Sequence, residues 1–165
     1  MDANGVLLKR ILNIVMENIK VGIVGHGENK FTPQGKVNAF FCLSSILNNK
    51  NISTMISGHS PVGGIDIWAE EVALKYNKTL ELKIPKQHKW DALYGYKQRN
   101  LDIAKCCDEL HVILVRNYPT NYKGMKFNYC YHCNTKEHIK SGACWTAKQA
   151  KKLGKLVIYH IIKNE

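Results

Sequence analysis

The sequence predicts an α/β fold, a mostly parallel sheet of about five strands with helices on both faces. Two observations carry this. Short apolar runs alternate along the chain with segments of helical period, and three of the runs stop at Gly25, Gly58 and Pro85. The sharpest helical period follows one such run: Ile65, Trp68, Ala69, Val72, Ala73 and Tyr76 recur at i, i+3, i+4, i+7, i+8 and i+11. With 165 residues, the chain is expected to form one domain spanning 1–165.

Residues 1–19 open with VLLKRILNIVMENI, read as an amphipathic helix covering one edge of the domain. Lys9, Arg10, Asn13 and Glu17 interrupt it, so it lacks the apolar core of a secretion signal. KVGIV (20–24) reads as a buried parallel strand. Thr32-Pro33 supplies an N-cap and a first helical residue, continued by Val37, Phe40, Phe41 and Leu47. STMIS (53–57) is the second strand, TLELKI (79–84) the third and HVILV (111–115) the fourth, with a helix through YKQRNLDIAKCCD between the last two. WTAKQAKKL reads as a helix stopped by Gly154, and LVIYHII (156–162) as the closing strand. Residues 116–144 break the rhythm, and a structureless stretch of that length needs its own stabilisation.

Composition narrows the function. The net charge of +11 favours phosphate-bearing partners, while 45% apolar and 22% charged residues are ordinary for a globular chain. No apolar run approaches the roughly 20 residues that span a bilayer, so no membrane partner is expected and the protein is read as cytoplasmic. Six cysteines in such a compartment argue against a disulfide framework. Cys42, Cys106 and Cys107 fall in apolar segments and read as core.

The other three join a histidine. Cys130, Cys133, His138 and Cys144 form C-x2-C-x4-H-x5-C, close to the spacing of zinc knuckles. Three thiolates and one imidazole make a closed tetrahedral set, which points to a structural Zn²⁺ rather than a catalytic one. His132 is an alternative imidazole, although its adjacency to Cys133 makes simultaneous chelation awkward. A zinc ion would supply the stabilisation the segment lacks.

SGHSPVGGID (57–66) joins the second strand to the periodic helix. Ligands of parallel sheets sit beyond the carboxyl ends of strands, where helix N-termini offer unpaired N–H groups to phosphate. Gly58 permits the turn, Ser57 and Ser60 offer hydroxyls, and Gly63-Gly64 allow close backbone approach to an anion. Asp66 caps the helix or reaches a ribose hydroxyl, and Glu70 shares its helix face four residues on. A tight turn with no ligand is the plainer reading of the same glycines. The usual mononucleotide and dinucleotide fingerprints are absent.

SGHSPVGGIDIWAEEVA resembles the SGGARGxDxxAxxxA signature of the YspA-like branch of the SLOG (Smf/DprA–LOG) superfamily. VGIVGHGENKF, QRNLDIAKCCDELHVILV and SGACWTAKQAKKLGKLVIYH follow in that family's order, so the resemblance covers roughly 20–162. It implies a Rossmann-like three-layer domain that binds nucleotides or their derivatives. It also implies that Gly25, His26, Ser57, Gly58, Gly63, Gly64, Asp66, Arg99 and Asn100 line the cleft, with Thr146 in the last loop. The LOG branch carries PGGxGTxxE, whereas here Gln149 stands near its acidic position.

Three functions are therefore expected in order. The first is a binder of a nucleotide or nucleotide-derived phosphate ligand. The second is an N-glycosidase acting on nucleoside phosphates, with Asp66 and Glu70 as candidate catalytic carboxylates. The third is a DprA-like or zinc-knuckle nucleic-acid binder using Tyr129, Tyr131 and Trp145. A homodimer is an expectation by analogy with the superfamily.

Overall fold

The computed structural model describes residues 3–16 and 18–165, and within the first helix it describes the side chains of residues 4–11. The elements run α1 (Ala3–Met16), β1 (Ile19–Gly25), a 3-10 turn (Glu28–Lys30), α2 (Pro33–Leu47), β2 (Ile52–Ser57), α3 (Ile65–Lys75) and β3 (Thr79–Leu82). They continue with α4 (Tyr96–Cys106), β4 (Glu109–Val115), α5 (Gly142–Lys152) and β5 (Leu156–Ile162). The five strands form one sheet in the order β3-β2-β1-β4-β5, and every pair is parallel. The expected α/β architecture is therefore the one observed.

Strand chemistry explains the layering. β1 and β4 lie inside the sheet and are buried along most of their length, as their β-branched runs require. On one face, Val21, Ile23, Met55 and Ile113 pack against Leu43, Ile65, Trp68 and Val72 of α2 and α3. On the other, Ile56, Leu110, Val112 and Leu114 pack against Ile103, Ala104, Ala147 and Ala150 of α4 and α5. Thr32 caps α2 by accepting from Gly35 N–H at 2.9 Å, with Pro33 in the first turn.

Some boundaries move. β3 ends at Leu82, two residues short of the expected strand, because its neighbour β2 ends at Ser57, whose carbonyl takes a last bond from Lys83 N–H. Ser141 accepts from Ala143 N–H and starts α5 at Gly142, three residues earlier than Trp145. The described part of α1, residues 4–11, is exposed throughout, so it does not cover an edge of the domain there. Cys107 is buried as expected, whereas Cys42 and Cys106 are only partly so.

Candidate ligand cleft and metal cluster

The topology sets the site. β1 is followed by β2 on one side and lies beside β4 on the other, so the chain leaves the sheet in opposite directions at the carboxyl ends of β1 and β4. A cleft of about 290 Å³ opens there. Gly25 and Gly27 line it from the end of β1 and the loop after it, Ser60 and Gly63 from the β2–α3 loop, Asp66 from the first turn of α3, and Arg99 and Asn100 from α4. Ser141, Gly142 and Thr146 close it from α5, and Trp90 and Tyr96 stand at its mouth.

The glycine loop is fixed by backbone need. Gly64 holds φ +82°, and any Cβ there would run into His26 O, Glu28 N and Gly27 C, so the β1 loop and the start of α3 meet backbone to backbone. Ile65 N–H donates to His26 O at 3.1 Å. Gly64 caps α3 without any side-chain hydrogen bond, and Gly95 does the same for α4. α3 therefore starts beside the cleft with no capping side chain, whereas at the start of α4 backbone carbonyls take the first amides, Tyr96 N–H on Lys89 O and Lys97 N–H on Trp90 O.

Charge in the cleft is concentrated on two groups, Asp66, which is buried, and Arg99, which is partly so. Arg99 Nη1 donates to Gly58 O at 2.8 Å and stands 3.9 Å from Asp66 Oδ2. Its Nε is buried and has no hydrogen-bond partner. Burial raises the Asp66 carboxyl to about 6, against the pull of Arg99 and the Ser60 backbone N–H. Tyr96 lies under the guanidinium, 5.1 Å from ring centroid to Cζ.

Several expected residues stand off the cleft. Glu70 does not line it: Ser57 Oγ donates to Glu70 Oε1 at 2.7 Å, and His59 Nδ1 lies 2.9 Å from Oε2. His26 is buried with both ring nitrogens engaged. Val115 N–H donates to Nδ1 at 3.1 Å, which leaves Nε2–H to donate to Lys140 O at 3.4 Å. Burial lowers its pKa to about 3, so the imidazole is neutral. His26 thus ties the β1 loop to the segment that carries the cysteines. Gly58 packs against the Arg99 side chain, and Gly64 against the β1 loop.

Sequence reasoning missed Trp90. It sits in the aperiodic stretch between β3 and α4, edge-on to Trp145 at 5.3 Å, and the latter is 55 residues further along the chain. It missed Ser141 as well, although a serine before a helical run is an N-cap signal.

The second site gathers Cys130, Cys133, His138 and Cys144, whose donor atoms lie within 4.8 Å of one another and can hold a metal ion. His132 is not part of this set, which settles the imidazole on His138. Cys144 Sγ is 3.6 Å from His138 Nε2. Tetrahedral Zn²⁺ with bonds of about 2.3 Å to sulfur and 2.0 Å to nitrogen requires an S···N edge of about 3.5 Å, close to this one. Three thiols and one imidazole are the donor types such an ion takes. Cys130 and Thr135 pair backbone to backbone in a tight antiparallel bridge that turns the segment back on itself. Burial pushes the Cys133 and Cys144 thiols up, so without a cation to hold thiolates they stay protonated. Cys133 Sγ–H donates to Tyr159 Oη at 3.8 Å, and the same hydroxyl could donate to Cys133 once a metal held it as thiolate.

No family model and no curated protein matches the sequence. Two solved structures share the fold. One is the molybdenum cofactor carrier protein MCP from Chlamydomonas reinhardtii, with a TM-score of 0.55 at 13% identity over 86% of this chain and 76% of that one. The other is DNA processing protein A (DprA) from Streptococcus pneumoniae, with a TM-score of 0.52 at 19% identity over 88% of this chain. The chain spans about half the length of DprA, 51%. The likeness shows a Rossmann-like α/β fold.

Proposed function

We propose that the cleft binds a phosphate-bearing, nucleotide-like small molecule, as in the YspA-like branch of the SLOG superfamily. The observation that carries this is Arg99, a partly buried guanidinium beside the start of α3 whose buried Nε–H is left unpartnered. A buried unsatisfied donor costs about 1–3 kcal/mol, and a phosphate or carboxylate oxygen of a ligand is the natural acceptor for it. Trp90 at the mouth offers an aromatic face for a planar ring. One neighbour in fold is described as a carrier of molybdenum cofactor and the other as a DNA processing protein, both compatible with a ligand at this edge of the sheet.

The second site is proposed to hold a structural Zn²⁺, because all four donors are protein side chains and leave no open position. Cys130, Cys133, His138 and Cys144 would hold it, and the ion would supply cross-linking rather than chemistry. A bond-breaking role on the ligand would rest on Asp66, the carboxylate that lines the cleft, and not on Glu70.

The test is a thermal-shift panel of adenosine mono- and diphosphate, ADP-ribose and inorganic phosphate. Stabilisation by at least one nucleotide, lost in Arg99→Ala, is expected. No shift with any of them, or a shift that survives Arg99→Ala, overturns the reading.

A further inference from the structure

The segment that carries the cysteines presents a surface that the cleft does not use. Phe127 and Tyr131 are 37% and 56% exposed, and Lys140 Nζ lies between their rings, 4.3 Å and 4.8 Å from the centroids. The Tyr131 ring stands 4.4 Å from that of His132. From His132 a groove of about 400 Å³ runs to Lys148 and Lys151 on α5, and Lys151 Nζ sits 4.7 Å over the Tyr159 ring. Glu137 is the one carboxylate in its lining. Nearby on the same segment, Tyr118 and Tyr122 stack at 4.7 Å beneath Lys126 and Lys30, repeating the arrangement.

Trp145, expected to join such a surface, instead packs on Trp90 at the mouth of the cleft. Tyr129 hydrogen-bonds Asn134 through its hydroxyl at 3.1 Å. The structure therefore builds the surface from other residues than the sequence suggested.

We propose that this face binds single-stranded nucleic acid, with bases stacking on Phe127 and Tyr131 and backbone phosphates following Lys140, Lys148 and Lys151. Exposed ring faces alternating with lysines suit a strand whose bases are unpaired and whose charge is evenly spaced. A duplex hides its base faces from such rings. An acidic helix would need a continuous apolar floor, and this groove is lined by His132, Asn134, Thr135 and the lysines instead. The proposal goes beyond the cleft and is independent of it.

The test uses the whole metal-loaded chain and a fluorescent oligothymidylate or oligouridylate of about 15 nucleotides, read by anisotropy from about 50 to 200 mM salt. Three lysine–phosphate contacts give a slope of log K against log[salt] of about −2. Lys148→Glu with Lys151→Glu, both on the exposed side of α5, is expected to lose tenfold or more in affinity and flatten the slope. Tyr131→Ala is expected to weaken binding while leaving the slope in place. Because Tyr131 adjoins Cys130, metal content and melting temperature are measured for that variant, and Phe127→Ala serves where they change. Arg99→Ala leaves strand binding intact, which separates this proposal from the cleft. Absence of salt-sensitive binding overturns it. So does a duplex or polyglutamate that competes equally, or a charge-reversed variant that binds as well as the parent.

Discussion

Arg99 and Asp66 face each other across the base of the cleft at 3.9 Å, Asp66 buried and Arg99 partly so, in a pair too long for a direct hydrogen bond. The guanidinium spends one N–H on Gly58 O and leaves its Nε unused. The geometry is that of a fork held open above a carboxylate.

Replacing that fork separates charge from shape. Arg99→Lys keeps the charge but loses the planar donors, so nucleotide-induced stabilisation should shrink, and Arg99→Ala should abolish it. Alanine also leaves Asp66 buried without its partner, and the free protein should lose about 3 kcal/mol in urea denaturation at neutral pH. Unchanged stability in Arg99→Ala would show that the pair carries no energy.

Two buried groups oppose each other in pH. Asp66 has its folded pKa raised to about 6, so its contribution favours folding at low pH and fades as pH rises through that value, by roughly 3 kcal/mol. His26 has its folded pKa lowered to about 3, so the unfolded chain takes up a proton first and stability falls as pH drops from 6.5, by roughly 5 kcal/mol. Between about pH 6 and pH 4 the two slopes, each about 1.4 kcal/mol per pH unit, cancel, so the contribution of this pair to stability should be nearly flat there, and the loss from the histidine should emerge only below about pH 4. Asp66→Asn removes the opposing slope, so that variant should weaken by about 3 kcal/mol on acidification from about pH 6 to pH 4, where the parent stays level. Urea midpoints across that range measure it.

Stripping the metal tests the cluster directly. Freshly purified protein should carry about one equivalent of zinc. Chelation should free thiols, lower the melting temperature and loosen residues 116–141 to protease, because that segment holds one backbone bridge, Cys130 to Thr135, and no helix or strand. Cys130→Ser and His138→Ala should each reproduce the loss. Full stability in excess chelator would refute a structural role.

Gly64→Ala probes the contact between the two glycine loops. Its φ of +82° and the backbone atoms of His26, Gly27 and Glu28 leave no room for a Cβ. The substitution should cost more than about 1 kcal/mol and displace the β1 loop. Gly154→Ala is the control, since it shares a positive φ but meets nothing within 4 Å, and should cost only the backbone strain.

What was legible followed from period and punctuation. The apolar runs at β1, β2 and β4 and the stripe from Ile65 to Tyr76 are local patterns, and each became the element it suggested. Cys130, Cys133, His138 and Cys144 were legible because metal spacing is short-range, and the fold then chose His138 over His132. What stayed hidden depends on distance. Trp90 reaches the cleft because Trp145 stops it from the far end of the chain. His26 was expected at the ligand, yet Val115 and Lys140 claim both its nitrogens, a pairing 89 and 114 residues away. Glu70 shares a helix face with Asp66 as expected, but His59, held at φ +49°, draws it out of the cleft.

Cys144 belongs to two structures at once. It is a donor of the metal cluster, and it sits in the first turn of α5 between Ala143 and Thr146, both of which line the cleft. A genetic screen would therefore see the two sites as one locus at Cys144, where a single lesion gives both phenotypes. Lesions at Cys130 and Arg99 would fall into separate complementation behaviours, one reporting the staple and the other the ligand.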